Sequence, residues 1–285
     1  MRRFIPWLLW LATATPAAAY ELKLTSDGHP VRWVEGTVRY AVDVRGARDL
    51  PLPAAVDAVD RAFAAWRDAP GVAIGFVNDG VREGLALGFD EGEGAVNENA
   101  VLWSRDQWGY GEEALAVTVT LYKRSSGQLI DADIYINEAH YGWGVGREAE
   151  TDLQNALTHE VGHFIGLAHS DVPEATMYAS SPPGEIEKRT LHADDLDGAS
   201  FLYPGADRVA SPQRPIDTAA FRDDQVAPPA ADPEEEVPQA FSNPVNCAVA
   251  RPGAPTAPPP AATVAWAIGL LALARARRAR REAAR

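Results

Sequence analysis

The segment that most constrains this chain is Thr151 to Ser170, TDLQNALTHEVGHFIGLAHS, which holds three of the six histidines within eleven residues. Its pattern predicts a helix. Thr151 with Gln154 three residues on has the form of a capping box. Leu153, Leu157, Val161, Phe164 and Ile165 recur at helical spacing and make one apolar stripe. His159 and His163 stand one turn apart on the side away from that stripe, so both imidazoles can reach one ion. Glu160 lies between the stripe and the histidine face. Gly166 allows the positive φ that ends a helix, after which the chain can turn and deliver His169 as a third ligand.

Three neutral imidazoles leave tetrahedral zinc one open position for water. Zinc-bound water is acidic enough to supply hydroxide near neutral pH, and a carboxylate beside it can take that proton and pass it to a leaving amine. Glu160 suits that task, because it can reach the water without itself occupying the metal. Taken singly, histidines at i and i+4 are as often ordinary surface residues. Here His159, Glu160, His163, Gly166 and His169 all match the long zincin pattern HExxHxxGxxH, which at roughly one in twenty per position arises by chance about once in three million start sites.

With that motif the chain resembles the metzincins, and among them the matrixins, the class of the matrix metalloproteinases. Ser170 directly after the third histidine is the matrixin choice, and Ala175-Thr176-Met177-Tyr178 is similar to the methionine turn. Val31-Arg32-Trp33, Ala62-Phe63 with Trp66, Ile130 to Ile134, and Leu191 to Gly198 leading to Leu202-Tyr203-Pro204 also resemble family segments. The resemblance implies an α+β metzincin fold: a five-stranded, mostly parallel twisted sheet with one antiparallel edge strand, and three helices. It implies a zinc endopeptidase with Glu160 as the catalytic base, His159, His163 and His169 on one zinc, and Met177 beneath the ion. Asp194 and Asp195 would anchor the methionine turn from the last helix; on their own they read as acids favoured at a helix N-terminus. Substrate would lie extended along the edge strand, for which Ala114–Tyr122 is the candidate, with side-chain choice made in a pocket walled by residues after Met177.

The chain also departs from the family. Leu129 stands where the family's structural zinc needs a histidine, and His29, His140 and His192 form no ligand set, so one zinc is expected. No cysteine lies between Tyr20 and the domain to act as a cysteine switch, and Cys247 is far downstream. Tyr178 is followed by Ala179-Ser180-Ser181-Pro182-Pro183 in place of the usual Pro-x-Tyr pocket wall. For calcium, the acidic, Gly-rich run Asp90 to Glu98 is the candidate loop; such a run also reads as a solvated loop. Trp103, Trp108, Tyr110, Tyr141 and Trp143 read as core aromatics or as cleft lining.

Outside the motif, the 185 residues from Tyr20 to Pro204 read as the folded unit. Strands are expected at Thr37–Val42, Val72–Val77, Leu85–Phe89, Val101–Ser104, Ala114–Tyr122 and Leu129–Ile136, with a helix over Pro53–Arg67 between the first two. One helix between two strands predicts a right-handed crossover and parallel pairing. Residues 1–19 read as a secretory signal peptide, with Arg2-Arg3, an apolar run and Ala17-Ala18-Ala19. Thirteen of the 22 prolines fall from Pro204 to Pro260, so residues 205–260 read as an extended linker. Residues 261–285 combine a short apolar run with an arginine cluster. They read as a weak membrane anchor or as a sorting signal, with a partial likeness to myxobacterial C-terminal sorting tails. The expected location is therefore the cell envelope, cell surface or exterior, and the domain reads as a monomer.

A single cysteine excludes an internal disulfide framework, and a net charge of −14 excludes a general nucleic-acid binder. The partner is then a protein or peptide substrate. Against the enzyme stands a non-catalytic, zinc-binding display domain, which would have no need of Glu160.

Overall fold

The computed structural model describes residues 20–85, 88–89, 97–106, 108–205 and 245–249. The elements run β1 (Thr37–Asp43), α1 (Leu52–Arg67), β2 (Gly75–Arg82), β3 (Ala100–Ser104), β4 (Ala114–Tyr122), β5 (Leu129–Asn137), α2 (Leu153–Phe164), β6 (Ser180–Ser181), α3 (Ala193–Leu202) and β7 (Val245–Val249). A 3₁₀ turn at Glu187–Arg189 precedes α3.

Strands β1 to β5 form the expected mixed sheet in the order β2-β1-β3-β5-β4. The first four run parallel, and β4 alone is antiparallel to its neighbour β5. Short strands β7 and β6 continue the sheet beyond β4: β7 pairs antiparallel with β4, and β6 pairs parallel with β7. Helix α1 carries the chain from β1 to its parallel partner β2. It buries Ala55, Ala58, Val59, Ala62, Phe63 and Trp66, a face of residues three or four apart.

The core is organised around Phe63. Its ring stacks on Tyr40 with centroids 3.8 Å apart and meets the edges of Phe76 at 5.0 Å and Phe164 at 5.3 Å. Offset and edge-to-face contacts of this kind add to the area that the rings bury. Two indoles tie α2 into this core: Trp33 Nε1 donates to the Phe164 carbonyl at 2.9 Å, and Trp66 Nε1 donates to the Thr158 carbonyl at 2.8 Å. Helix α2 is therefore covered nearly all round, and every residue from Asn155 to Phe164 is buried. The apolar stripe alone predicts cover on one face only. The other face is closed by the chain that follows the helix.

Three local expectations change. The cap of α2 is Asp152, whose Oδ1 accepts the Asn155 N–H at 2.8 Å; it displaces the Thr151–Gln154 box because Asp152 is also gripped by Arg189. The second strand spans Gly75–Arg82, not Val72–Val77. Val72 instead bridges to Pro204, and the Ala73 N–H bonds to the Tyr203 carbonyl, so that stretch secures the end of the domain. Leu85–Phe89 is not a strand over its described residues: Gly88 turns at φ +67° and gives its N–H to Asp133. The signal reading of 1–19, the tail reading of 261–285 and all of the linker reading except 245–249 lie outside the described residues. Among the described residues no helix is long and apolar enough to cross a membrane.

Asp131 and Asp133 project from one face of β5 and are almost fully buried. Burial, reinforced by the neighbouring Asp133 charge, pushes the Asp131 carboxyl up to about 7. Burial likewise lifts Asp133 to about 6, against the pull of the Gly88 and Ala100 N–H groups. An acid whose pKa is raised by folding is best tolerated protonated, so stability falls as pH rises from about 4 through the folded value. Asp131→Asn removes that loss. In thermal melts across pH the variant is expected to melt above wild type at pH 8, with the margin shrinking toward pH 4.

Candidate metal centre

Helix α2 supplies His159, Glu160 and His163, and the turn after it supplies His169. Gly166 makes that turn at φ +100°, and a Cβ there would strike the Val31 carbonyl, so the position is closed to other residues. The turn lays the Leu167 carbonyl 2.9 Å from His163 Nδ1, while the Thr176 carbonyl lies 2.6 Å from His159 Nδ1. A carbonyl can only accept, so both Nδ1 atoms carry the proton and both Nε2 atoms carry a lone pair.

Those two Nε2 atoms face each other at 3.0 Å. His169 completes the triangle, its ring centroid 5.2 Å from that of His159 and 4.8 Å from that of His163. His169 Nε2 is buried without a hydrogen-bond partner, and the ligand atoms of the three residues all lie within 4.8 Å of one another. Three acceptors pointed at one small volume have no mutual attraction; a cation between them supplies it. Burial also keeps the imidazoles neutral. It drives His159 and His163 far below the ordinary histidine value, and with the charge of Lys188 it takes His169 to about 4. Neutral nitrogen donors with their second nitrogens oriented by carbonyls fit zinc.

Glu160 is fully buried beside this triangle. Its Oε2 accepts from Thr118 Oγ1 at 2.6 Å, and its Oε1 has no partner. Burial pushes this carboxyl up to about 8, against the opposing pull of Thr118 and Lys188. Thr118 lies on β4, so the Glu160 carboxyl is held by the strand that forms the edge of the five-stranded sheet.

Met177, 3% exposed, packs against α2 at Gly162, between the two helical histidines in sequence. A Cβ at Gly162 would collide with the Met177 sulfur and with Trp66. The turn that carries Met177 is fixed by Asp195, which accepts the N–H groups of Thr176 at 2.8 Å, Met177 at 2.9 Å and His192 at 2.8 Å. Asp194 accepts from Ser170 Oγ at 2.6 Å, and Ser170 N–H bonds to the Met177 carbonyl, which locks the third-ligand loop to the same turn. The Tyr178 carbonyl, with that of Ser180, receives the buried Lys188 ammonium. All ten residues singled out in the sequence thus gather here.

A family model described as matrixin matches residues 32–204. The chain belongs to the matrixin family. Among its relatives, metalloendoproteinases 1-MMP and 2-MMP of Arabidopsis thaliana are 28% and 29% identical, each over 62% of this chain and 45% and 43% of their own lengths. Mouse matrilysin is 35% identical over 27% of this chain and 29% of its own. The chain therefore spans less than half the length of these relatives.

Within this matrixin domain several residues important to the site carried no sequence signal of their own. Thr118, Thr176 and Lys188 act from other elements, and Gly162 is one of 23 glycines. Leu129 is core, 1% exposed. Trp103 and Trp143 are buried in the core, Trp108 packs its edge on Tyr110, and Tyr141 borders a cleft beside the start of α2. Of the acidic run Asp90 to Glu98, residues 90–96 lie outside the described residues, and Glu98 pairs with Arg82. Cys247 sits in β7 at the position opposite Ala116.

Asp195 is the support to test. Asp195→Ala leaves buried N–H groups of the methionine turn unpaired, which is expected to cost about 2–4 kcal/mol in a urea titration. Ser200→Ala, remote from the turn, should stay within about 0.5 kcal/mol of wild type.

Proposed function

We propose that this domain is a zinc-dependent endopeptidase that acts on proteins or peptides outside the cytoplasm, with Glu160 as general base. The observation that carries the reading is the unpartnered Glu160 Oε1 next in sequence to His159, one of three histidines whose ligand atoms converge within 4.8 Å, in a chain of the matrixin family. A pure metal-binding or display site has no use for a buried, unpaired carboxylate, whose isolation is costly.

His159, His163 and His169 would hold the ion through Nε2. Bound there, zinc supplies a Lewis acid and a means of acidifying water. The protein's own contribution is positional. Thr118 Oγ1 occupies Glu160 Oε2, so the carboxylate cannot swing away and Oε1 stays directed as the proton acceptor. As a carboxyl, the same group can take up that proton and release it to the departing amine. The carbonyls of Thr176 and Leu167 keep His159 and His163 from rotating.

The backbone of β4 offers the place for a substrate. Its outer edge bonds to an extended segment, residues 245–249, running antiparallel. A peptide laid on that edge gains main-chain hydrogen bonds with little demand on sequence. The export reading rests on residues 1–19, and the names of the relatives, metalloendoproteinase and matrilysin, accord with peptide-bond hydrolysis.

Glu160→Gln is expected to lower kcat on casein by about 10²–10⁴ while zinc stays at one per chain by metal analysis. Equal cleavage by that variant would sink the reading. Chelation should abolish cleavage and lower Tm, and zinc should restore both, because a ligand of the folded state alone stabilises it. Residues 245–249 and a substrate claim the same edge, so Asn246→Pro with Ala248→Pro, which removes two N–H donors from β7, should lower KM for a peptide substrate and leave kcat unchanged.

A further inference from the structure

Between β4 and β6 lies a slot one strand wide, and the chain itself fills it. Strands β4 and β6 are not hydrogen-bonded to each other; each is bonded to β7, which runs between them. Neighbouring strands stand about 4.8 Å apart, so the two walls of the slot are roughly 9–10 Å apart and admit one extended backbone. β7 also passes close to α2, the helix that carries His159, Glu160 and His163.

The register says which part of β7 reaches Glu160. Thr118 pairs with Val245, Val117 with Asn246 and Ala116 with Cys247. Thr118 is also the residue whose hydroxyl lies 2.6 Å from Glu160 Oε2 and 3.0 Å from the Glu160 carbonyl. Partners in an antiparallel ladder have Cα atoms about 4.5–5.5 Å apart. The main chain of Val245 therefore passes Glu160 with one threonine between them, and the peptide bond from Val245 to Asn246 is the one brought to that carboxyl. This bond is an ordinary amide: Pro244 and Pro252 flank the segment, and no proline lies within it.

Belonging to the same chain sets this segment apart from other extended peptides. A peptide from solution loses its translational freedom on entering the slot. A tethered segment has lost it already, and its effective concentration there is on the order of millimolar. Bonding along both edges keeps the backbone extended and in register, which favours attack on one particular bond.

We infer that this protein cleaves its own chain in cis at the Val245–Asn246 bond, which separates the matrixin domain from the residues that follow, the arginines from Arg275 to Arg281 included. The inference rests on the endopeptidase reading and names a first substrate for that same site. The step is a hydrolysis. The water oxygen joins the Val245 carbonyl carbon, the bond to the Asn246 nitrogen breaks, and Glu160 carries one water proton to that nitrogen. A carboxylate and an amine result, with no change of oxidation state. Asn246–Val249 then lose their tether to the domain, and the slot opens to other peptides.

The test follows the full chain by intact mass after it is purified with chelator and then given zinc. Wild type is expected to split at Val245–Asn246, or at most one bond away, and the fraction cut at a given time should not change on about hundredfold dilution. Glu160→Gln should stay whole, and mixed with dilute wild type it should be cut at least about tenfold more slowly than wild type cuts itself. Ala248→Pro breaks the ladder to Ala114 and Ser180 but leaves Val245 and Asn246 unchanged; it should slow self-cleavage at least about tenfold. Hydrogen exchange reads the seating without catalysis. In the Glu160→Gln chain the β7 amides should exchange at least about tenfold more slowly than in Glu160→Gln with Ala248→Pro. A cut elsewhere, a rate that falls in proportion to concentration, or full-speed cutting of Ala248→Pro overturns the inference. So does a wild-type chain that degrades casein yet stays whole, and that outcome leaves the endopeptidase reading standing. If casein and the chain both stay whole while β7 is protected, it is the endopeptidase reading that fails, and the self-cleavage falls with it.

Discussion

Two imidazole nitrogens, each with a lone pair and neither with a proton to share, face each other 3.0 Å apart on a helix that is covered nearly all round. Left to themselves they repel, and His169 brings a third lone pair to the same place. The rest of the domain can be read as the structure needed to keep these groups converging and dry. Burial holds the rings neutral, and backbone carbonyls choose their tautomers. A single divalent cation turns an unfavourable cluster into a favourable one.

Holding polar groups in a dry interior requires that their partners be rigid in turn. Asp195 on α3 holds the methionine turn, whose Thr176 carbonyl orients His159. Asp194 holds Ser170, and Asp152 with Arg189 fixes the start of α2. Gly162 and Gly166 matter by what they lack: one admits Met177 against the helix, and the other admits the Val31 carbonyl at the turn. Thr118 ties the Glu160 carboxyl to β4, so the proposed base and the proposed substrate edge are set by one strand.

Much of this was legible from spacing. Helical periodicity placed His159 and His163 on one face, Gly166 marked the turn to His169, and runs rich in β-formers located β1, β3, β4 and β5 to within a residue or two. The misses have physical causes. Leu85–Phe89 looked like a strand by composition, but Gly88 breaks it to reach Asp133. The capping box on Thr151 lost to Asp152, because a side chain that both caps and pairs with Arg189 outcompetes one that only caps. Val72 left the sheet for a bridge to Pro204, and such long-range exchanges leave no local trace.

By itself the sequence determined the identity and order of the metal-binding side chains, because a helix converts a spacing of four into a shared face whatever surrounds it. It likewise determined that Glu160 would be next to them. Only the tertiary structure decided the state of those groups. Burial makes the histidines neutral and raises the proton affinity of Glu160, while Thr118 and Thr176, which come from elements distant in the chain, orient those groups. Electrostatics depends on burial and distance, and both are properties of the fold.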